Sequence, residues 1–418
     1  MQTLPLTLYR AADIKVLEQC AIQEYGIPSF ELMSRAGEAV FQCIKEKWPD
    51  ISSVAVICGG GNNAGDGYIV AKLALAAGLQ VDVYAVSDPE KLKGDALTAY
   101  RQYADADGRV VLFLQGQQIN ADVIVDALLG TGLDRPVSGP YKMAIDAINA
   151  SPSRVIAVDI PSGLSADTGN VTACAVKAAY TVTFIGLKQG LYTGQAADYC
   201  GGICYAPLAI PEAVFQAVSS MVYRVVGKTG SRRSRCAHKG DYGHVLVIGG
   251  DAGYSGAARL AGEAALRVGS GLVSIATRAE HAAVMNINRP ELMCHGVETV
   301  QQLKRLLERA RVIVLGPGLG QGAWAKALFT VAINAGKPLV IDADGLNLLA
   351  SSPVKKTDWI LTPHPGEAAR LLSCSTAQIQ QDRFAAAYAL QAKYGGIAVL
   401  KGAGTLIASD HDLAVSAT

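Results

Sequence analysis

SVAVICGGGNNAGDGY, residues 53–68, is an apolar run that breaks into glycines and passes into a helical pattern around 65–77. A strand, a glycine loop and a helix in that order are the opening of a βαβ unit. The same grammar continues outward. QVDVYAV (80–86), RVVLFL (109–114), VIVDALLG (123–130) and RVIAVDI (154–160) are further apolar strands, with a helix near 138–150. Upstream, two amphipathic helices are expected over about 11–25 and 29–47; in the second, Phe30, Leu32, Met33, Ala36, Ala39, Val40 and Ile44 recur at helical spacing. Near-continuous apolar strands alternating with helices predict an α/β fold with a parallel sheet covered on both faces.

The pattern lapses around 211–240, and GKTGSRRSRCAHKGDYG (227–243) reads as a boundary. Its Arg232, Arg233, Arg235 and Lys239 are either a solvated connection or contacts for ligand phosphates. A second α/β series then starts with HVLVIGG (244–250) and a helix around 256–269. GLVSIAT, RVIVLGPGLG, KPLVIDADGLN, DWILTPHPGE and GIAVLKGAGT follow. Two domains are expected, 1–222 and 223–418.

Composition narrows the class of function. Of 418 residues, 50% are hydrophobic and 17% charged, which is globular composition. Lys plus Arg is 37 and Asp plus Glu is 36, so no electrostatic footprint for nucleic acid or an anionic membrane exists at whole-chain level. No apolar run reaches the roughly 18 residues of a membrane span, and the start lacks signal-peptide character. The nine cysteines are odd in number and form no C-x-x-C; Cys200 and Cys204, the one close pair, have no partner pair at zinc spacing. Reduced, mostly core thiols and a cytoplasmic location are expected. Association into a homo-oligomer stays open.

Three strands of the first half end in polar chemistry. Asn62-Asn63-Ala64-Gly65-Asp66 follows the first, Asp126 ends VIVD, and Asp159 ends VIAVD before IPSGL. Ligands of open α/β sheets bind beyond the carboxyl ends of strands, so these groups converge on one edge. Each aspartate could instead cap a helix or a turn. Gly59, Gly61 and Ala64 satisfy a loose G-x-G-x-x-G/A. The acidic residue about 20 positions on, Asp82, lies inside a strand instead of at its end, which argues against an ordinary dehydrogenase.

CGGGNNAGDGY (58–68), DALLGTGLDRP (126–136) and VDIPSGLSADTG (158–169) together resemble the NAD(P)H-hydrate epimerase domain. The one departure in the first motif is Ala64 in place of a glycine. The resemblance implies a Rossmann-like three-layer αβα domain that interconverts the R and S hydrates of NADH and NADPH (NADHX and NADPHX), an isomerase. It implies a potassium site at Asn63, Asp126 and Ser162. Hard oxygen ligands with one carboxylate suit a large monovalent cation better than magnesium. The implied substrate-binding residues are Asn62, Asn63, Ala64, Gly65 and Asp66, with Gly130, Thr131, Gly132, Leu133, Asp134, Arg135 and Pro136 over the phosphates. Asp159 is the expected acid/base: loss of hydroxide from C6 needs a proton donor and addition of water to the other face needs a base.

The second half, from HKGDYGHVLVIGGDAGYSGAARLAGEAALRVGSGLV (238–273) through RPELM, GPGLG, DADGLN, LTPHPGEAARLL and VLKGAGT, resembles the ribokinase-like dehydratase domain of the same bifunctional enzymes. Gly345 stands where that family has alanine. The resemblance implies an ADP-dependent lyase with Mg2+: the nucleotide phosphorylates the C6 hydroxyl of the S hydrate, and elimination restores NAD(P)H. Lys401, Gly402, Ala403, Gly404 and Thr405 would hold nucleotide phosphates; Ala257, Gly318 and His364 would contact the hydrate. Asp342 and Asp344 either support magnesium or order the loop. The family continues into a G-x-G-D segment that supplies an anion hole and a catalytic base, and this sequence has none after Leu406. The second domain is therefore expected to be incomplete, with apolar surface uncovered and weak or absent dehydratase activity. A ligand-binding protein with a decayed ribokinase-like domain is the alternative, which epimerase turnover would exclude.

Overall fold

The computed structural model describes residues 4–133, 135–171, 173–227 and 233–416. Asp134 and Arg232, two of the residues singled out above, lie outside them. The chain forms two compact units, divided between Val225 and Val226. Among the described residues no helix is long and apolar enough to cross a membrane.

In the first unit β1 (Thr7–Tyr9) leads into α1 (Ala11–Gln23) and α2 (Ser29–Lys47). Then come β2 (Ser53–Cys58), α3 (Asn62–Ala76), β3 (Gln80–Ala85), α4 (Gly94–Ala104), β4 (Val110–Leu112), β5 (Val123–Ala127), α5 (Gly139–Ala150), β6 (Arg154–Val158), β7 (Tyr180–Phe184), β8 (Leu187–Lys188), β9 (Gly202–Ala206) and β10 (Val222–Arg224). Seven parallel strands run in the order β4-β3-β2-β5-β6-β7-β9. Strand residues alternate between two cores. Val54, Val56, Val125 and Val158 pack under α2 and α3, while Ala55, Ile57, Ile124 and Val155 pack under α5. This is a three-layer αβα sandwich, and its strand order reverses between β2 and β5, the position where such sheets open a crevice. At the other end of the same two strands the Asp122 carboxylate accepts from the backbone and hydroxyls of Ser52 and Ser53, fixing their register.

The helix of the first βαβ unit starts earlier than the glycines suggest. Asn62 to Asp66 are not a loop but the first turns of α3. Asparagine and glycine are poor helix formers, yet packing overrides propensity here. A Cβ on Gly65 would lie 2.5 Å from the Met33 sulfur, and one on Gly67 2.5 Å from Ala127 Cβ. Small residues let α3 press against α2 and β5.

The second unit contains β11 (His244–Ile248), α6 (Ser255–Arg267), β12 (Leu272–Thr277), α7 (Ala279–Ala282), β13 (Leu292–Gly296), α8 (Val300–Leu307), β14 (Val312–Leu315), α9 (Ala323–Ile333) and β15 (Leu339–Ile341). It continues with α10 (Asp344–Ser351), β16 (Trp359–Leu361), α11 (Pro365–Leu372), α12 (Thr376–Gln381), α13 (Arg383–Tyr394), β17 (Ile397–Leu400), β18 (Thr405–Ala408) and β19 (Leu413–Ser416). Strands β13-β12-β11-β14-β15-β16-β17 are parallel, and β18 and β19 add antiparallel. Leu260 in α6, Val268 at its end, and Val284 and Ile287 after α7 are exposed. Arg233, next to the boundary, stacks 4.1 Å over the Tyr242 ring and donates to Gly269 O, a local packing role.

Candidate functional site

The crevice of the first sheet holds a cavity of about 520 Å³. Its walls come from the carboxyl ends of β2 (Gly60–Asn63), β5 (Leu128–Leu133), β6 (Asp159) and β7 (Phe184, Ile185), and from α1 and α2 through Ile14, Glu18, Leu32 and Met33. Of the predicted residues, Asn62, Asn63, Asp66, Asp159 and Gly130 to Leu133 line it. Arg135 and Pro136 do not, and Ala64 and Gly65 turn into the α2–α3 contact instead.

Asp159 follows β6 with φ +67°, a left-handed backbone that aspartate tolerates better than most side chains. Its Oδ1 accepts three hydrogen bonds: from Thr183 Oγ1 at 3.3 Å, from Phe184 N at 3.1 Å, and from the Lys188 ammonium. Lys188 has no exposed side-chain surface and also donates to Thr183 Oγ1 and Phe184 O. Among the described residues nothing bonds Oδ2, and the side chain keeps 15% of its surface toward the cavity. One oxygen is anchored and the other is free for proton transfer. Two further carboxyls crowd the same wall. Burial first, then the charges of Asp159 and Glu18, hold Asp66 well above the usual carboxylate range; burial and then Asp159 raise Glu18.

Directly behind the wall, Asp126 and Ser162 are fully buried. The Asp126 carboxylate accepts from Ser162 N at 2.8 Å, Ser162 Oγ at 2.6 Å and Leu128 N at 3.3 Å. Burial outweighs those bonds and pushes its pKa up to about 6. Ser162 Oγ also bridges to the backbone N–H and carbonyl of Leu129, a residue of the cavity wall. Asn63, buried at the start of α3, has an amide Nδ2 with no partner among the described residues. A Cβ on Gly130 would lie 3.5 Å from Asn63 Oδ1, so the two motifs abut. The oxygens of a buried carboxylate, a serine hydroxyl and the Asn63 side-chain amide are hard ligands of a kind that fits a weakly hydrated monovalent ion.

The second unit brings its predicted residues to the carboxyl edge of the β11-β14-β15-β16-β17 run. Asp251 N donates to Gly318 O at 2.6 Å, and a Cβ on Gly318 (φ +60°) would stand 3.3 Å from Ala257 Cβ. His364 caps α11, its Nδ1 accepting from Gly366 N at 3.0 Å, and its ring is half-exposed. Lys401 N donates to Pro363 O, and Lys401 Nζ lies 2.7 Å from Asp342 Oδ1, which also accepts from Thr362 Oγ1. Asp344 accepts instead from Gly320 N, Gln321 and Asn347. Between them Ala343 takes φ +49°. The Lys401–Thr405 turn is built on Gly402 (φ +146°) and Gly404 (φ +63°), with Thr405 Oγ1 donating to Gly402 O. Beneath it the buried Arg383 guanidinium donates to Leu400 O, Lys401 O and Gly404 O.

Sequence reasoning missed Lys188 and Glu18. A signal for the first existed: Lys188 is the one charged residue between Lys177 and Asp198, inside the run FIGLKQGLY. Glu18 has no such mark, since a glutamate in an amphipathic helix ordinarily faces water.

A family model described as YjeF-related protein N-terminus matches residues 29–190, and one described as NAD(P)H-hydrate dehydratase matches residues 245–417. The second match gives no support to the expectation of a weak or inactive dehydratase. A protein of Coxiella burnetii named bifunctional NAD(P)H-hydrate repair enzyme Nnr is 49% identical over 96% of this chain and 83% of its own length. The Escherichia coli protein of that name is 44% identical over 98% and 80%. A Bacillus subtilis structure described as an ADP/ATP-dependent NAD(P)H-hydrate dehydratase, co-crystallised with ATP and Mg2+, is 30% identical over 45% of this chain and 68% of that one, with a TM-score of 0.39. With such identity to full-length relatives over almost all of its sequence, the chain belongs to the family of bifunctional NAD(P)H-hydrate repair enzymes.

Proposed function

We propose that the protein repairs hydrated nicotinamide cofactors, with residues 1–222 as the epimerase and residues 223–418 as an ADP-dependent dehydratase. The observation that carries the first half is Asp159, with Oδ1 held by Lys188 and Oδ2 open to the cavity. Bound with C6 of the hydrate at Oδ2, the carboxyl protonates the departing hydroxide. The resulting carboxylate then takes a proton from the water that adds to the opposite face. Lys188 keeps the carboxyl oriented through both steps and compensates its charge when ionised. The 128–133 loop and the α3 N-terminus supply backbone N–H groups for the dinucleotide phosphates.

Asn63, Asp126 and Ser162 hold a potassium ion in this reading; when bound, it supplies positive charge behind the phosphate-facing loop. The Asp126 carboxyl, buried and raised because no positive charge compensates it, supports that assignment.

In the second half the Lys401–Thr405 turn would cradle ADP phosphates, Mg2+ would supply charge compensation for them, and Ala257, Gly318 and His364 would face the S hydrate. Phosphorylated at the C6 oxygen, the substrate loses phosphate and regains the nicotinamide double bond. The protein's part in such a transfer is positioning and charge compensation. Nine free thiols suit a reducing compartment such as the cytoplasm.

Incubation of purified R-hydrate of NADH with the protein in potassium buffer, with and without ADP and Mg2+, tests both halves. The S hydrate should form without nucleotide, and NADH should reappear only with it. No S hydrate in either condition would reject the epimerase assignment; S hydrate without NADH recovery would reject the dehydratase.

A further inference from the structure

Cys43, on α2, and Cys204, on β9, lie far apart in sequence, yet their sulfurs are 3.3 Å apart. Neither contributes to the cavity described above. Cys43 is buried, whereas Cys204 keeps part of its surface exposed. The Cys43 S–H donates to the Cys204 sulfur, so the two thiols differ in character. That bond pulls the Cys204 thiol below its ordinary value against its burial, with help from Lys47, and it raises Cys43 together with burial. A thiolate-prone sulfur at the surface with a protonated one in contact behind it is the arrangement of an attacking and a resolving cysteine.

We propose that Cys43 and Cys204 form a reversible dithiol–disulfide site, oxidised by low-molecular-weight disulfides of the glutathione type. The Cys204 thiolate attacks one sulfur of the small disulfide, whose S–S bond breaks to release a thiolate that takes a proton. Cys43 sulfur then attacks Cys204 sulfur, expelling the second small thiolate, which takes the Cys43 proton. Two protein thiols become one disulfide, and one small disulfide becomes two thiols. The bond needs the two sulfurs to close only the gap between a thiol contact and a covalent S–S of about 2.05 Å.

The link ties α2 to the edge of the sheet. About two helical turns before Cys43 the same helix carries Ala36, with Met33 and Leu32 beyond it, into the cavity wall. Closing so long a loop constrains the unfolded chain strongly, so oxidation should raise the unfolding midpoint of the protein by on the order of 5 °C.

The test treats the full chain at pH 7.5 with oxidised glutathione, alkylates remaining thiols, and maps the digest by mass spectrometry. A Cys43–Cys204 linked peptide should dominate, the pair's two thiols should disappear from titration in addition to that of the exposed Cys236, and dithiothreitol should restore the thiols and the original midpoint. Cys204→Ser should abolish the reaction of Cys43, while Cys43→Ser should trap glutathione on Cys204. The proposal fails if the pair stays reduced after the exposed Cys236 is fully modified, or if wild-type Cys204 stops at the mixed disulfide. It fails equally if the linked form melts no higher than the reduced one. The wild-type map decides the question even if a serine variant folds poorly.

Discussion

Lys188, without any exposed surface, sets its ammonium against Oδ1 of Asp159 and leaves Oδ2 to the cavity. The pair joins the end of β6 to the short β8, so one contact both closes the fold and aims a carboxyl. Lys188→Met should therefore act twice. Removing one partner of a buried pair costs about 3–5 kcal/mol, and partial access of Asp159 to the cavity should bring this to roughly 2–3 kcal/mol. A thermal melt reads that loss. Asp159→Asn keeps the shape but leaves the buried Lys188 ammonium without its counter-charge, so it should also lower the melting midpoint while cutting the epimerisation rate about 10²–10⁴-fold. Equal rates for Asp159→Asn and the parent would remove Asp159 from the chemistry.

Asp66 gives a pH signature. Its carboxyl is held above the usual range by burial and by Asp159 and Glu18. A group whose pKa is higher folded than unfolded adds stability below its unfolded value, and that contribution is lost as pH rises through the folded one. The parent should thus lose stability as pH climbs from about 4 upward, where Asp66→Asn does not. The melting midpoint of the variant minus that of the parent should widen steadily from acid to neutral pH. A constant difference would mean that Asp66 ionises normally.

Cation dependence should be selective. Exchange of potassium for lithium should slow epimerisation at least about tenfold, since a small, strongly hydrated ion does not suit a wide, mostly neutral donor set. Ser162→Ala removes the hydroxyl that joins Asp126 to Leu129, and should raise the potassium concentration needed for half-maximal rate. Rates identical in the two salts would leave Asn63 and Asp126 without a cation.

Arg383 supports the Lys401–Thr405 turn proposed to hold ADP phosphates. Arg383→Met withdraws donors from the carbonyls of Leu400, Lys401 and Gly404. Leaving buried carbonyls unpaired costs about 1–3 kcal/mol apiece. The second unit should unfold earlier and bind ADP about tenfold more weakly or worse by calorimetry. Unchanged ADP affinity would show that the turn does not depend on the guanidinium.

The central strands β2, β5 and β6 were readable because each is an apolar run ended by glycine or aspartate, a pattern that burial on both faces enforces. β2, β5 and β6 fell where VAVIC, VIVD and VIAV stand. The start of α3 was not readable, because Asn62, Asn63 and Gly65 point to a loop by propensity, whereas the close packing of Gly65 on Met33 and of Gly67 on Ala127 favours a helix there. Asp126 and Asp159 were legible as strand-end carboxylates; Ser162 came only from the family resemblance. Lys188 was marked only as a lone charge in an apolar run; its partner, 29 residues away, is not visible in local patterning. Cys204 likewise had no partner in its own neighbourhood; the one it has is on α2.

Ala343 holds a left-handed backbone where glycine would sit without cost. Strain of this kind is on the order of 1–3 kcal/mol and is met once, when the chain folds. On either side of it, Asp342 is turned to Lys401 and Asp344 to Gly320, a geometry set before the nucleotide proposed to bind there arrives. The incoming ligand has little disorder left to quench, so its affinity is not diluted by rearranging its host. Ala343→Gly would exchange that readiness for a more relaxed fold, giving a steadier protein and a slacker grip.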